Sequence, residues 1–402
     1  MAVMQGNVII REYQSKCVRC GQCRSVCPVL DILGKEPASP RGKVYLAGLI
    51  ARGEVPPGPR AEEILSLCLV CGACSAQCPS GLPVDGIITA AREAAASYRH
   101  YSPYRFMYRS FFTQMPLLGR LPGFASLFRG MAGGTPLTGR PARHQISPIT
   151  LPQKKKPLMR VGYFLGCATN YLLPEVAVSV VNVLTHLGCE VVTPPFACCG
   201  LPLAAEGEAA AAKKTLEVNR RLYQAYKLDA LITDCSSCSH HLTGQGLAGD
   251  AQPVYEFCEF LVKVLNPARP AIEISQSVAC HYPCHLRHGR KLEDHLHQIL
   301  GNIPGLSLVE IPGGGSCCGG GGSFSIKQKS ISSRILQKYT GQILSSGAQC
   351  AATVCPSCIM QLRRGLKNQD MPVLHAAQLL SRSYLIGQSP IPEFNLSILM
   401  TI

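Results

Sequence analysis

Eight of the 22 cysteines form two compact runs with identical spacing, C-x2-C-x2-C-x3-C, each followed by a proline. Thiolates at this spacing are typical ligands of [4Fe–4S] clusters, and the fourth cysteine of one run then ligates the cluster of the other run. The first predicted cluster is therefore held by Cys17, Cys20, Cys23 and Cys78. The second is held by Cys68, Cys71, Cys74 and Cys27.

Structural zinc is the alternative for these two runs, because C-x-x-C pairs also build zinc ribbons. A zinc ribbon needs two pairs around a small knuckle, whereas each run here is a compact group of four cysteines that ends in proline. Iron–sulfur clusters are therefore favoured, and the segment is interpreted as a two-cluster ferredoxin domain that moves single electrons. Gly21 and Gly72 follow the second cysteine of each run, where a tight loop needs backbone freedom.

The remaining cysteines recur at a nearly constant offset. Cys167 has a counterpart 117 residues later, a Cys-Cys-Gly triplet recurs after 119 residues, and a C-x-x-C pair recurs after 120 residues. Such agreement indicates an internal duplication. Each copy supplies five cysteines that are predicted to converge: Cys167, Cys198, Cys199, Cys235 and Cys238 in the first copy, and Cys284, Cys317, Cys318, Cys355 and Cys358 in the second.

Predicted strands and helices alternate in each copy, which favours a parallel sheet covered by helices. In the first copy, strands are predicted at 159–165, 190–193 and 230–233, with helices at 174–187 and 206–227. In the second, strands are predicted near 278 and at 306–311 and 352–354, with helices at 291–300 and 326–345. The cysteines fall at or just after strand ends, where parallel sheets bind their ligands, so they can meet.

Five soft ligands are more than a tetrahedral zinc site uses. Thiolate-rich sites select iron–sulfur clusters, zinc or copper(I), and iron–sulfur is favoured beside a ferredoxin domain. Four cysteines are left over and are predicted to be buried small hydrophobic residues: Cys189, Cys258, Cys280 and Cys350.

Five histidines lie beside the cysteines of the two copies: His240, His241, His281, His285 and His288. An imidazole at such a place could donate a hydrogen bond to cluster sulfur or supply a proton. Histidines with ordinary hydrogen bonds or at the surface are an equally good interpretation of each. The sequence contains no G-x-G-x-x-G after a strand and no Walker A motif, so it gives no sign of a two-electron cofactor site of its own.

The pattern of a lone cysteine, Cys-Cys-Gly and a later C-x-x-C is similar to the cysteine-rich, or CCG, domain of heterodisulfide reductase and of the iron–sulfur subunit of glycolate oxidase. The order of two ferredoxin runs and two CCG domains resembles both families over nearly the full chain. The segments 39–46 and 281–288, and Cys317-Cys318-Gly319-Gly320, resemble the glycolate oxidase type. That type, however, carries one cysteine where both copies here have C-x-x-C.

This resemblance implies an α+β protein, with an N-terminal α-helical two-cluster ferredoxin domain followed by two tandem α/β CCG domains related by duplication. The predicted boundaries are 1–100 for the ferredoxin domain, 101–157 for a basic aromatic helix and linker, 158–270 for the first CCG domain and 271–402 for the second. In heterodisulfide reductases a complete CCG domain holds a non-cubane [4Fe–4S] cluster. One or two such clusters are therefore implied here, besides two cubanes.

The function implied is that of an electron-transfer subunit in a glycolate- or lactate-type FAD-dependent 2-hydroxy-acid dehydrogenase complex. Its FAD would lie on a partner dehydrogenase subunit, and its acceptor would be a quinone, a haem subunit or an electron-transfer flavoprotein. The expected location is the cytoplasm or the inner face of the membrane, since no apolar run is long enough to span a bilayer. The alternative is a thiol–disulfide reductase of the heterodisulfide type, which the two complete C-x-x-C pairs keep open.

Residues 94–174 contain no acidic residue and eleven Lys and Arg residues, so this segment supplies eleven positive charges to a formal net charge of +15. A helix is predicted to start at Ser102-Pro103, with Tyr104, Met107, Tyr108, Phe111, Phe112 and Met115 on one face. A core helix plus a solvated linker is one interpretation. Docking on an acidic partner or an anionic membrane is the second. Nucleic-acid binding is the least supported, because no recognition motif accompanies the charge.

Overall fold

The computed structural model describes residues 10–98, 103–118, 140–152, 156–247, 253–313 and 316–384. Its N-terminal part is helical, with helices at Pro28–Leu33, Pro40–Arg52, Pro59–Ser66, Ala73–Ala76 and Val84–Tyr98. Ser39 caps Pro40–Arg52 by accepting a hydrogen bond from the backbone of Gly42, and Gly53 ends the same helix in a left-handed conformation. The buried faces of Pro40–Arg52 and Val84–Tyr98 pack together and form a small hydrophobic core.

Nine strands are described in the second part of the chain. They are β1 (Ile149–Thr150), β2 (Met159–Tyr163), β3 (Cys189–Val192), β4 (Ala230–Thr233), β5 (Val254–Glu256), β6 (Ser277–Cys280), β7 (Ser307–Val309), β8 (Cys350–Thr353) and β9 (Val373–His375). One sheet has the order β1-β3-β2-β4-β5, with β1 antiparallel to β3 and the other strands parallel. The other sheet is parallel throughout, in the order β7-β6-β8-β9. The four parallel strands of the first sheet, β3-β2-β4-β5, are therefore arranged in the same spatial order as the four strands of the second, β7-β6-β8-β9.

The helices around the first sheet are Cys167–Leu172, Pro174–His186, Leu201–Ala205, Ala209–Ala225, Ser236–Gly244 and Phe257–Phe260. Those around the second are Glu293–Gly301, Phe324–Lys327, Lys329–Ser345, Pro356–Gly365 and Ala376–Ser383. Short π-helices occur at Leu261–Leu265 and His285–Arg290. Both sheets contribute to one continuous hydrophobic core, and Ala376–Ser383 of the second unit packs on Pro174–His186 of the first.

The helix predicted over residues 206–227 is present as Ala209–Ala225, and residues 206–207 form a turn that precedes it. Gly207 has φ 78°, and a Cβ atom there would lie 2.7 Å from the backbone of Arg92 in the N-terminal domain. Arg92 also donates hydrogen bonds to the carbonyl oxygens of Ala205 (2.6 Å), Leu65 (2.8 Å) and Cys68 (2.7 Å). The turn is therefore packed directly against the helical domain.

The predicted aromatic helix is present at Pro103–Leu118. Phe112 is buried, and Tyr108 and Phe111 pack against the core of the sheets, as the core-helix interpretation expects. The predicted face is wrong at Met107, which is 63% exposed. The side chain of Arg105, and Arg120 with most of the linker, lie outside the described residues. Within the described ranges, no helix is both long enough and apolar enough to cross a membrane.

Candidate metal centres

The first cysteine group lines one cavity near the surface of the helical domain: Cys17, Cys20, Cys23 and Cys78. The loop can curl around this cavity because Arg19 and Gly21, on either side of Cys20, both adopt left-handed conformations with φ 55° and 85°. Cys20 is exposed. Burial raises the pKa of Cys23, and the neighbouring thiols of the cavity raise it further.

The second group lines a separate cavity that contains Cys27, Cys68, Cys71 and Cys74. Its loop repeats the left-handed conformations at Val70 (φ 54°) and Gly72 (φ 74°). The structure thus brings the fourth cysteine of each run to the three cysteines of the other run. Cys27 is the N-cap of the helix Pro28–Leu33.

Lys43 is a site residue that the sequence analysis missed. Its side chain is buried, and its ammonium group donates a hydrogen bond to the carbonyl oxygen of Ala38. Burial raises the pKa of Cys27, and the positive charge of Lys43 opposes that rise. A buried cation beside this group would compensate the net negative charge of a thiolate-ligated cluster. Its position within an otherwise apolar helix face was the available signal.

The five cysteines of the first CCG copy form a connected network of neighbouring thiols. The network runs in the order Cys167, Cys198, Cys199, Cys238 and Cys235. Hydrogen bonds from Cys198 and Cys238 hold the pKa of Cys199 below its usual range. Gly166 is needed beside these thiols, because a Cβ atom there would lie 3.3 Å from the Sγ atom of Cys238.

The second copy repeats this network in the order Cys284, Cys317, Cys318, Cys358 and Cys355. Cys317 and Cys358 hold the pKa of Cys318 below its usual range through hydrogen bonds, as in the first copy. Each C-x-x-C pair starts immediately after a strand, β4 or β8, and its second cysteine lies in the following helix. The predicted convergence at strand ends is therefore observed.

The two networks meet where the thiols of Cys235 and Cys355 are neighbours. The backbone also joins the two units here, since the amide of Ser236 donates to the carbonyl oxygen of Val354 at 3.2 Å. The hydroxyl of Ser237 lies 3.7 Å from the Sγ atom of Cys355 and 2.9 Å from Nδ1 of His285. The ten cysteines form one continuous row of thiols beyond the strand ends of the two sheets.

The second copy also faces the helical domain. Cys27 and Cys71 of the second ferredoxin group line the same cavity as Cys284 and Cys317. Burial raises the pKa of Cys71, and the nearby Cys317 and Cys284 raise it further. Nε2 of His285 lies 3.1 Å from the carbonyl oxygen of Val70, within the ferredoxin loop. The four cysteine groups therefore follow a linear order: first ferredoxin group, second ferredoxin group, second CCG copy, first CCG copy.

Among the five histidines, His281 has the closest relation to a cysteine group. Its Nδ1 atom lies 2.7 Å from the hydroxyl of Tyr339, and one of its ring nitrogens lies within 4.8 Å of the Sγ atoms of both Cys318 and Cys358. Burial lowers the pKa of His281 to about 4, so its imidazole is neutral. His240 stacks instead on His285, with ring centroids 5.0 Å apart.

The chemistry of the donors fits iron–sulfur clusters. All 22 cysteines are free, and eighteen of them belong to the four groups. A single zinc ion takes four ligands, which neither network of five matches. The four leftover cysteines are buried, as expected: Cys189, Cys258, Cys280 and Cys350.

Comparisons with known proteins agree with these domains. The 4Fe-4S dicluster domain family matches residues 13–82, and the cysteine-rich (CCG) domain family matches residues 161–243 and again 278–363. The chain is similar to the probable glycolate oxidase iron-sulfur subunit of Bacillus subtilis, with 27% identity over 410 residues that cover 90% of this chain and 92% of that protein.

The chain is also similar to one of the subunits of the fumarate reductase (CoM/CoB) of Methanothermobacter marburgensis. The identity is 27% over 380 residues, which cover 92% of this chain and 72% of that protein. Among solved structures, a hypothetical protein from Helicobacter pylori shares the fold, with a TM-score of 0.53, 13% identity and coverage of 86% of this chain and 68% of that one.

Proposed function

We propose that this chain, which carries one 4Fe-4S dicluster domain and two CCG domains, is the iron–sulfur electron-transfer subunit of an FAD-dependent 2-hydroxy-acid dehydrogenase complex of the glycolate or lactate type. The linear order of the four cysteine groups is the observation that carries the proposal. A row of redox centres from an exposed loop to a buried core suits the transfer of single electrons between sites, and it has no use in a purely structural metal protein.

The ligands follow from the four groups. One cubane is held by Cys17, Cys20, Cys23 and Cys78, and the other by Cys68, Cys71, Cys74 and Cys27. The CCG copies hold one non-cubane [4Fe–4S] cluster each, through Cys167, Cys198, Cys199, Cys235 and Cys238 and through Cys284, Cys317, Cys318, Cys355 and Cys358. When bound, these clusters accept and release one electron at a time, and the protein sets their potentials by hydrogen bonds, charge and burial.

The flavin and the hydroxy acid belong on a partner subunit in this proposal. Oxidation of a hydroxy acid releases two electrons, which a flavin can accept together and then pass on singly. The similarity to a glycolate oxidase iron-sulfur subunit over 92% of its length supports such a partner, and the sequence itself has no dinucleotide fingerprint. The exposed Cys20 marks the end of the row that a partner can approach. The far end would deliver electrons to an acceptor such as a quinone.

The thiol–disulfide reductase is the less supported function. The similarity covers 72% of the fumarate reductase relative and 92% of the glycolate oxidase relative, so it accounts for more of the latter.

The test is anaerobic reduction of the purified chain by its dehydrogenase partner, expressed from the same gene neighbourhood, with lactate or glycolate as the electron source. We expect reduced-cluster signals in electron paramagnetic resonance only when chain, partner and hydroxy acid are all present. The chain alone should contain no FAD and leave both acids unchanged. Reduction by a dithiol at the same rate without the dehydrogenase, or turnover of the acids by the chain alone, would contradict the proposal.

A further inference from the structure

The two CCG copies differ at one position that lies directly against the cysteines. Phe164 follows β2 in the first copy, and His281 follows β6 in the second. Both stand three residues before the first cysteine of their copy, and both donate a backbone hydrogen bond to the neighbouring strand, at Ile232 and Ala352 respectively. The two residues are therefore structurally equivalent, although one is apolar and the other is polar.

Phe164 has an apolar aromatic neighbour, whereas His281 has a polar one. Phe164 is fully buried and stacks on Phe196, with ring centroids 5.0 Å apart. His281 is 1% exposed and bonds to Tyr339 through Nδ1. The residue that corresponds to Tyr339 in the first copy is Asn219, whose amide group serves the backbone of the Cys-Cys-Gly loop instead. The first copy therefore has no counterpart of the histidine–tyrosine pair.

The hydrogen bond to Tyr339 determines which nitrogen of His281 carries the proton. Among the described residues, the tyrosine hydroxyl has no acceptor other than Nδ1, and Nε2 is buried without any hydrogen-bond partner. If the hydroxyl donates to Nδ1, the proton of the neutral imidazole lies on Nε2. The opposite tautomer would leave the tyrosine proton without an acceptor and a lone pair beside thiolates. With cluster sulfur as the acceptor for Nε2–H, the first arrangement gives both buried donors a partner and is therefore favoured.

We propose that His281 donates an Nε2–H hydrogen bond to sulfur of the cluster held by the second CCG copy, and that this makes the second-copy cluster easier to reduce than it would be beside an apolar residue. The inference rests on the cluster assignment under the proposed function. Hydrogen bonds to cluster sulfur stabilise the more negative, reduced state and raise the reduction potential. His281 thus raises the reduction potential of the second-copy cluster by donating a hydrogen bond to its sulfur. Tyr339 acts on His281, because its hydroxyl donates to Nδ1 and so keeps the proton of the imidazole on Nε2.

The inference also assigns the two CCG clusters different roles. The second-copy cluster lies between the second ferredoxin group and the first copy, and it has the added donor. The first-copy cluster has an aromatic ring at the equivalent place. The two CCG clusters have the same set of five cysteine ligands, and the difference between His281 and Phe164 gives them different reduction potentials.

The test is a redox titration of the anaerobically purified chain, followed by electron paramagnetic resonance, with iron analysis. His281→Phe installs the residue of the first copy, and we expect the potential of the second-copy cluster to fall while iron content and the other signals stay unchanged. His281→Gln, whose side-chain amide can place an N–H near the position of Nε2–H, should restore part of the shift. Tyr339→Phe should lower the same potential, because the tautomer is no longer held. Cys358→Ser and Cys238→Ser identify the second-copy and first-copy signals.

Three results would overturn the inference, and they are distinguishable. An unchanged potential in His281→Phe with full iron content would show that the histidine does not contact the cluster. Loss of a cluster from both His281→Phe and His281→Gln would show that the imidazole is a metal ligand instead of a hydrogen-bond donor. Absence of any second-copy signal in the unmodified chain, with the cubane signals intact, would refute the cluster assignment itself.

Discussion

Cys235 and Cys355, the first cysteines of the two C-x-x-C pairs, are neighbours at the boundary between the two CCG units. Residues at matching positions of the two C-x-x-C pairs therefore meet here. Both thiols are buried, and the backbone hydrogen bond from Ser236 to Val354 joins the two units at the same place. Clusters bound on either side of this contact would be close neighbours.

The first prediction concerns metal content. If each of the four cysteine groups holds a four-iron cluster, the anaerobically purified chain should contain about 16 iron atoms. Cys318→Ala should lose about four of them, since it removes a thiol from the centre of the second-copy network. Cys350→Ala is the matched control, because Cys350 is equally buried but lies in a strand outside the four groups. Iron and zinc are both measured, and about eight iron atoms with stoichiometric zinc would contradict clusters in the CCG copies.

The second prediction concerns docking of the helical domain. Gly207→Ala should weaken this docking, because the new Cβ atom would lie 2.7 Å from the backbone of Arg92 and must push the two surfaces apart. Limited proteolysis and the unfolding temperature measure the effect. Gly246→Ala is the control, since Gly246 also has a left-handed conformation, with φ 62°, but has open space around its Cα. Both variants suffer backbone strain of about 1–2 kcal/mol, and equal behaviour of the two would show that the contact with Arg92 is unimportant.

The third prediction concerns pH. Glu256 is fully buried, and its carboxylate accepts hydrogen bonds from the backbone of Cys258 (2.7 Å) and Glu259 (3.3 Å). Burial raises the pKa of Glu256 to about 8, far above its value of 4.5 in an unfolded chain. The folded chain therefore binds the proton more tightly, so this group contributes its stability fully below pH 4.5 and loses it as the pH rises through about 8.

Glu256→Gln keeps a neutral acceptor for the same backbone groups and removes this titration. We expect the variant and the unmodified chain to differ little in unfolding temperature at low pH, and the variant to be the more stable near pH 9. Each pKa unit between the folded and unfolded states corresponds to about 1.4 kcal/mol. Glu63→Gln, at an exposed position, should leave the pH profile unchanged. Parallel pH profiles of the unmodified chain and Glu256→Gln would refute the prediction.

The sequence predicted those parts of the fold and the site that depend on local spacing. The strand at Ala230–Thr233 and the grouping of Cys27 and Cys78 with the opposite runs follow from short motifs. The order of the four cysteine groups could not be predicted, because the proximity of Cys71 to Cys284 depends on how distant domains dock. The close contact between Gly207 and Arg92 was missed for the same reason, since it joins segments that are far apart in the sequence.

The last prediction is that the two cubanes share their ligands crosswise. Cys27 lies in the cavity of Cys68, Cys71 and Cys74, whereas Cys78 lies in the cavity of the first run. Cys27→Ser should therefore damage the cluster of the second run, and Cys78→Ser should damage the cluster of the first run. A lost thiolate commonly leaves a three-iron cluster or a shifted potential, which electron paramagnetic resonance detects.

Each variant serves as the control for the other, because the two substitutions are chemically identical and lie at equivalent positions of the two runs. Cys20→Ser identifies the signal of the first-run cluster independently. Cys20 belongs to the first run and lines the cavity of that run but not the cavity of the second run. The spectrum altered by Cys78→Ser should match the one altered by Cys20→Ser, and Cys27→Ser should leave that signal intact. A match between Cys27→Ser and Cys20→Ser would instead show that each run ligates its own cluster. The signals of the CCG copies should survive all three substitutions, because none of their ten cysteines is changed.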